Sequence, residues 1–245
     1  ETCWYLVSEL YKKGLLYQGY TIQPYSPAAG TGLSTHELNQ PGCYRNVKDN
    51  TVVAQFKVEN KGNHELLPTL FTNDGLETFI LAWTTTPWTL PSNTALAVGK
   101  NIEYVLVKTI NPYTYQPIKV VLAQPLFEKY FPAKNAEITF DSYIPGEKNT
   151  PFEILASFTG TQLAGIRYEQ LLPYQQPESG DAFVVITGDF VTTEDGTGIV
   201  HIAPSFGADD FKVARQHGIG ALTMVDKSSR FTEAMGEFAG RFVKS

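Results

Sequence analysis

Trp83-Thr84-Thr85-Thr86-Pro87-Trp88-Thr89-Leu90-Pro91-Ser92-Asn93 is the stretch on which the reading of this chain turns. It follows the apolar run Thr78-Phe79-Ile80-Leu81-Ala82, which reads as a buried strand. Three consecutive threonines are β-branched and stiff at χ1. Each also carries a hydroxyl that both donates and accepts. Pro87 and Pro91 bias Thr86 and Leu90 away from helical backbone. The expectation is a rigid, non-helical loop at a strand end, displaying short hydroxyls and free backbone amides. Such a loop suits a small polar pocket. It has no glycine for close backbone approach, so it does not suit a phosphate cradle. From these residues alone, a strand running into a proline-punctuated turn accounts for the stretch equally well.

A second stretch carries chemistry: Gly196-Thr197-Gly198-Ile199-Val200-His201-Ile202-Ala203-Pro204-Ser205-Phe206-Gly207-Ala208-Asp209-Asp210-Phe211. It reads as a glycine turn, a buried strand bearing His201, a loop, and a helix that starts near Ala208 and stops at Gly218. Asp209 and Asp210 in the first turn complement the positive end of the helix dipole. His201 taken alone is a strand histidine satisfied by a backbone carbonyl. The functional alternative has His201 and one of the acids pointing into one pocket.

The remaining pattern is strand-rich. Trp4, Val7, Leu10 and Tyr11 fall at helical spacing, with Gly14 as a left-handed stop. Residues 15–25 alternate aromatics like a strand, and 26–50 read as an irregular connector rich in Gly, Pro, Asn and Thr. Strands are expected over 51–58, 77–83, 94–98, 102–108, 118–122 and 152–158, with a short helix at 125–130. Residues 165–177 read as an extended excursion whose Arg167-Tyr168-Glu169 lies at the surface. Residues 182–187 are continuously apolar and read as a central strand. Together these predict an α+β fold centred on a closed or nearly closed β-barrel, with short peripheral helices.

Composition narrows the functional classes. The 245 residues can bury a sizeable core in one large domain or two small ones. A net charge of −6 with only scattered Lys and Arg argues against gripping a nucleic acid along its backbone. An RNA partner would be met at an end. Cys3 and Cys43 are too few for a disulfide scaffold and, with His36, His64, His201 and His217, make no zinc spacing. A reducing, cytoplasmic setting is expected, and no apolar run is long enough to span a bilayer. Dinucleotide fingerprints and Gly-x-Ser-x-Gly elbows are absent. The chain opens on Glu1-Thr2-Cys3 without an initiator Met or signal-peptide pattern, and reads as a piece of a longer chain.

The two chemical stretches carry a resemblance. Residues 83–93 resemble the threonine-rich signature of the isoleucyl-tRNA synthetase editing domain, a module inserted in the catalytic domain. The valyl and leucyl enzymes have a similar loop, but with arginine where Thr86 stands and without the Pro87-Trp88-Thr89-Leu90-Pro91 ending. Residues 196–210 resemble the second signature of the same domain, with its histidine and later aspartate at matching spacing. More loosely, Pro24-Tyr25-Ser26, Leu33-Ser34 and Glu37 resemble the entrance to the insertion, and 231–243 its return. Residues 1–50 would then be the entry helix and connector from the catalytic core, and 51–245 the editing body, effectively one domain.

The resemblance implies hydrolysis of valine wrongly esterified to the isoleucine tRNA, at its 3′ terminal adenosine. One missing methylene is worth only about 1–3 kcal/mol in a pocket, a magnitude for which isoleucyl-tRNA synthetase is itself the standard example. A second, smaller site has to remove the error. By this match Asp210 holds the α-ammonium, a bond worth roughly 1.5–3 kcal/mol. Thr84, Thr85 and Thr86 line the pocket and hold the adenosine, the ester or a water. His201 sits beside the amino-acid side chain. It is the one candidate base near neutral pH, though steric closure is its better-supported task. Trp83 and Asn93 are surrounding residues, and no metal or cofactor is implied. The fragment carries no ATP site, and the catalytic core is its expected partner in a monomeric enzyme. Two rivals use the same residues: a non-catalytic module gripping an RNA end or a protein, and an editing domain of the valyl or leucyl type. Threonine at position 86 speaks against the latter.

Overall fold

Burial on two faces organises the strands. A computed structural model describes residues 1–19, 21–72 and 74–244. Five strands form one mixed sheet: β3 (Val52–Lys57), β4 (Thr78–Thr84), β6 (Glu103–Ile110), β7 (Pro117–Ala123) and β8 (Phe152–Thr159), in the order β3-β4-β7-β6-β8. Three more, β5 (Ala95–Val98), β9 (Val184–Thr187) and β10 (Ile199–Ile202), form a second sheet in the order β10-β5-β9. A two-residue hairpin, β1 (Tyr25–Ser26) with β2 (Thr31–Gly32), stands apart. Helices α1 (Thr2–Lys12) and α6 (Ala208–His217) are the two longer ones. Short turns α2 (Thr35–Leu38), α3 (Leu67–Leu70), α4 (Phe127–Tyr130) and α5 (Gly160–Leu163) complete the set.

Strand alternation builds the layers. Leu96 and Val98 of β5 face Phe56, Ile80, Leu106 and Val121 of the larger sheet in one shared core. Their neighbours Ala95 and Ala97 face the other way and pack with Val213 of α6. The outer face of the larger sheet is covered as well: Val105, Val107, Val120 and Leu122 pack under Phe127, Phe131 and Phe152. Two-sided burial explains why β6 and β7 are almost continuously apolar rather than alternating. Leu222, Met224 and Met235 form a small separate cluster near the chain end.

The α+β class holds, but the sheets are not closed. The larger sheet ends at β3 and β8, the smaller at β10 and β9. They meet along one side through the segment 166–169, in which Val58 bridges Tyr168 and Arg167 bridges Val184. These isolated bridges replace the continuous ladder a barrel requires. The 182–187 strand is correspondingly an edge strand: β5 is central, paired antiparallel to β10 and parallel to β9. The expected surface position of Arg167-Tyr168-Glu169 is also corrected. Arg167 forms a bidentate pair with Asp181 at 2.6 and 2.7 Å, but Tyr168 points inward and is 1 % exposed.

Two further expectations shift. Residues 15–19 and 21–24 carry no strand, pairing begins at Tyr25, and Tyr20 lies outside the described residues. The 26–50 connector contains the β1–β2 hairpin and α2, which Ser34 and Glu37 start with a capping box. No described residue up to position 50 is buried, so α1 leaves its apolar side chains in solvent.

One buried charge anchors the entry to β4. Lys119 on β7 is fully buried, and its Nζ donates to Asp74 at 3.1 and 3.3 Å and to the Thr72 hydroxyl at 3.2 Å. Partial burial pushes the Asp74 carboxyl up. The Leu76 N–H, the Thr72 hydroxyl and the Lys119 ammonium outweigh this and bring it down to about 2 from 3.8. A carboxylate whose folded-state pKa is depressed stabilises the fold above its unfolded value. That contribution is therefore complete above pH 4 and lost as pH falls through 2. Asp74→Asn strands the ammonium and should cost on the order of 3 kcal/mol at pH 7. Denaturant unfolding of wild type and variant should differ at pH 7 and converge toward pH 2; equal stability at pH 7 would refute the anchor.

Candidate active site

The end of β4 and the start of α6 converge on one cleft. β10 lies against β4, and alternation turns His201, like Ile199, toward the region between the sheets. The stretch after β4 is not the non-helical loop expected from its prolines. Residues Pro87–Ser92 form a 3-10 helix with Pro91 inside it. Its i→i+3 bonds run from Thr89 N–H to Thr86 C=O and from Asn93 N–H to Leu90 C=O, so the proline nitrogen is never asked to donate. Thr86 stays out of the helix as its N-cap, with non-helical dihedrals of φ −126° and ψ 65°, in keeping with the following Pro87. Nor are all amides free: the Thr86 N–H donates to Thr84 Oγ1 at 3.0 Å.

The cleft encloses about 380 Å³. Trp83, Thr84, Thr85 and Thr86 form one wall, and His201 and Asp210 contribute to the other. Thr85 and Thr86 are exposed there, whereas Thr84 is 6 % exposed and sits at the base. Trp88 packs edge-to-face on Phe206, with centroids 5.5 Å apart, and so ties the 3-10 helix to the loop before α6. Gly196 packs against the Trp83 ring, where a Cβ would come within 2.8 Å, and its φ of +73° also demands glycine.

Hydrogen bonds determine the state of His201. Asn93 Nδ2 donates to the Ala95 carbonyl at 2.8 Å, and Asn93 Oδ1 accepts from the Tyr168 hydroxyl at 2.7 Å. The amide nitrogen therefore faces His201 Nδ1, at 3.3 Å, and that ring nitrogen accepts. His201 Nε2 then carries the proton and donates to Thr89 Oγ1 at 2.8 Å. The Thr89 hydroxyl passes its own proton to the Thr86 carbonyl at 2.7 Å. Burial lowers the imidazole pKa to about 4. His201 is thus a neutral ring with both nitrogens engaged. It remains a rigid wall.

Asp210 is different. Its Oδ2 accepts the Ala203 N–H at 2.9 Å. Burial raises its carboxyl pKa, the neighbouring Asp209 adds to the rise, and the backbone bonds oppose it. No cation among the described residues relieves it. The cleft therefore offers a half-buried carboxylate without a counter-ion. Asp209 is exposed and keeps its role at the helix dipole.

The structure thus gathers Trp83, Thr84, Thr85, Thr86, His201 and Asp210 around one cleft. Asn93 is not on its surface; it sits behind His201 and is 3 % exposed. Sequence reasoning missed Thr89 and Tyr168. Thr89 lies three residues after Thr86, the spacing that meets across a helical turn. Tyr168 was readable from the alternation of buried Ile166 and Tyr168 with Arg167 and Glu169. Tyr168→Phe leaves Asn93 Oδ1 without its donor at an otherwise unchanged core ring, and should cost about 1–3 kcal/mol. Chemical denaturation measures this, and an unchanged midpoint would show that the hydroxyl is not part of the network. In wild type, nitrogen NMR should find His201 neutral with the proton on Nε2 at pH 6; an imidazolium there would overturn the assignment.

No family model matches the chain. The isoleucine--tRNA ligase of Cytophaga hutchinsonii is 57% identical over 254 residues, covering 100% of this chain and 22% of the relative. That of Porphyromonas gingivalis is 58% identical over 99% of this chain and 21% of the relative, and that of Thermoplasma volcanium is 38% identical over 100% and 20%. Among solved structures, the P. knowlesi cytosolic leucyl-tRNA synthetase editing domain is similar at a TM-score of 0.49 and 14% identity, over 69% of this chain and 63% of that one. The structure titled GlLeuRS-CP1 is similar at 0.46 and 18%, over 69% and 65%. The chain spans about a fifth of the length of the curated relatives it matches. Over its whole length, the chain is homologous to one segment of the isoleucine--tRNA ligases.

Proposed function

We propose that this cleft edits: it hydrolyses valine wrongly esterified to the 3′ terminal adenosine of the isoleucine tRNA. The observation that carries the reading is the half-buried Asp210 carboxylate, uncompensated by any cation of the described residues and facing the threonine wall. An α-ammonium is the counter-ion it lacks. With the ammonium on Asp210, the amino-acid side chain lies toward His201 and the ester toward the hydroxyls of Thr84, Thr85 and Thr86. A valyl side chain fits against the fixed imidazole, and an isoleucyl one meets it.

The reaction needs little from the protein. Water adds to the ester carbonyl, the acyl C–O bond breaks, and the ribose oxygen leaves as a hydroxyl. An aminoacyl ester is already activated, so orienting the water and stabilising the oxyanion through threonine hydroxyls and amides supplies the catalysis. His201 enters as a wall and not as a base, because its lone pair is bound to Asn93 and its pKa lies near 4. No metal or cofactor takes part. In this reading, residues 1–50 lead from the catalytic core of a longer, cytoplasmic and monomeric synthetase into the body at 51–245. The rest of that enzyme holds the tRNA. Among the described residues, no helix is long and apolar enough to cross a membrane.

Two experiments test this. In an NMR titration with non-hydrolysable valyl- and isoleucyl-adenosine conjugates, the valyl compound should shift Thr86 and Ala203 amides and the isoleucyl one should not. Asp210→Ala should weaken valyl binding by roughly 1.5–3 kcal/mol. Equal binding of the two conjugates would sink the size sieve, and an indifferent Asp210→Ala would sink the ammonium assignment. Independently, Thr86→Arg should fill the cleft and abolish deacylation of valyl-tRNA; an unchanged rate would take the threonine wall out of the site.

A further inference from the structure

We infer that Gly207 is a positioning residue: the side chain it lacks is what allows the Asp210 carboxylate to turn back over the Ala203 N–H and face the cleft. The kinetic consequence rests on the proposed role of Asp210, but the geometry does not.

The backbone does not ask for glycine at this position. Gly207 has φ −134° and ψ 138°, extended dihedrals open to any residue. It is also the N-cap of α6, a place where Ser, Thr, Asn or Asp would supply a side-chain acceptor. Gly207 supplies none, and no side-chain cap bond is made. The neighbouring glycines differ in kind: Gly196 and Gly198 have φ of +73° and +72° and are required by conformation.

Space is what position 207 provides. A Cβ there would lie 2.8 Å from Asp210 Cγ, 3.0 Å from Oδ1 and 3.1 Å from Oδ2. All three carboxylate atoms occupy the room that a methyl group would take. The aspartate stem is short, with one torsion to place the carboxylate and one to spin it. Relief therefore means that the carboxylate turns away, and the 2.9 Å bond from Ala203 N–H is lengthened or lost. Gly207 and Asp210 both border the cleft, so the displaced group leaves the place where it faces the threonine wall.

The test is Gly207→Ala, alone and combined with Asp210→Ala. Alanine suits the backbone dihedrals and restricts the unfolded chain, but it is a poorer N-cap than glycine; the two effects oppose, so the variant should stay folded with a melting temperature within a few degrees of wild type. Carbon NMR of the Asp210 carboxyl should show its pKa moving toward the ordinary 3.8, with a changed Ala203 amide shift. For valyl-tRNA, KM should rise roughly ten- to hundredfold, the scale of one charged hydrogen bond, with kcat within about threefold of wild type. In the Asp210→Ala background, Gly207→Ala should add nothing. The inference is overturned if Asp210 titration and the Ala203 amide are unmoved in the folded single variant. If both move while Asp210→Ala itself leaves KM unchanged, Gly207 does position the carboxylate and the ammonium reading is what fails.

Discussion

A buried imidazole with both nitrogens occupied holds the cleft together. His201 lies between Asn93 and Thr89, and through them it joins the core to the threonine wall. Tyr168, seated on the segment that bridges the two sheets, fixes the Asn93 amide; Thr89, in the 3-10 helix, fixes the position of Thr86. Each link has one direction of proton donation. Ala95 C=O can only accept, so the Asn93 nitrogen must face it and His201 Nδ1. The network therefore selects one tautomer, and ring orientation follows.

Electrostatics separates the two titratable groups of the cleft by the same means, burial. Desolvation disfavours the charged form of each, and so acts in opposite directions on their pKa values. It drives His201 down to about 4 and keeps the ring neutral. It drives Asp210 up, but this group is only partly buried and retains the Ala203 N–H. The same burial thus keeps the ring neutral at one end of the cleft and makes the carboxyl at the other harder to ionise.

Much of this arrangement was legible in the sequence, and the parts that were not share a cause. The glycine turn, apolar run and left-handed Gly218 define β10 and α6 locally, so His201 and Asp210 were placed correctly on strand and helix. The threonine stretch was located but not its 3-10 conformation, because a proline argues against α-helix and says little about i→i+3 turns. Pairing is non-local. The strands were seen, yet the open 5 + 3 arrangement and the edge position of β9 depend on which apolar faces meet. Tyr168 was misjudged for one further reason: residue type assigns an Arg-Tyr-Glu run to the surface, and only a partner such as Asn93 makes burial of the tyrosine hydroxyl affordable.

The two ends of the cleft are built on different principles, and this bears on which substitutions each tolerates. The His201 end is over-determined: its ring is held by hydrogen bonds that are themselves held by the core, so a single loss leaves an unpaired buried group and is registered as stability. The Asp210 end rests on backbone N–H donors and on the room that Gly207 leaves for the carboxylate, so a change there can move the carboxylate while the fold stays intact. The His201 end is thus where the cleft is rigid, and the Asp210 end where a short side chain has just enough room to stand. A cleft so divided can lose affinity without losing its shape.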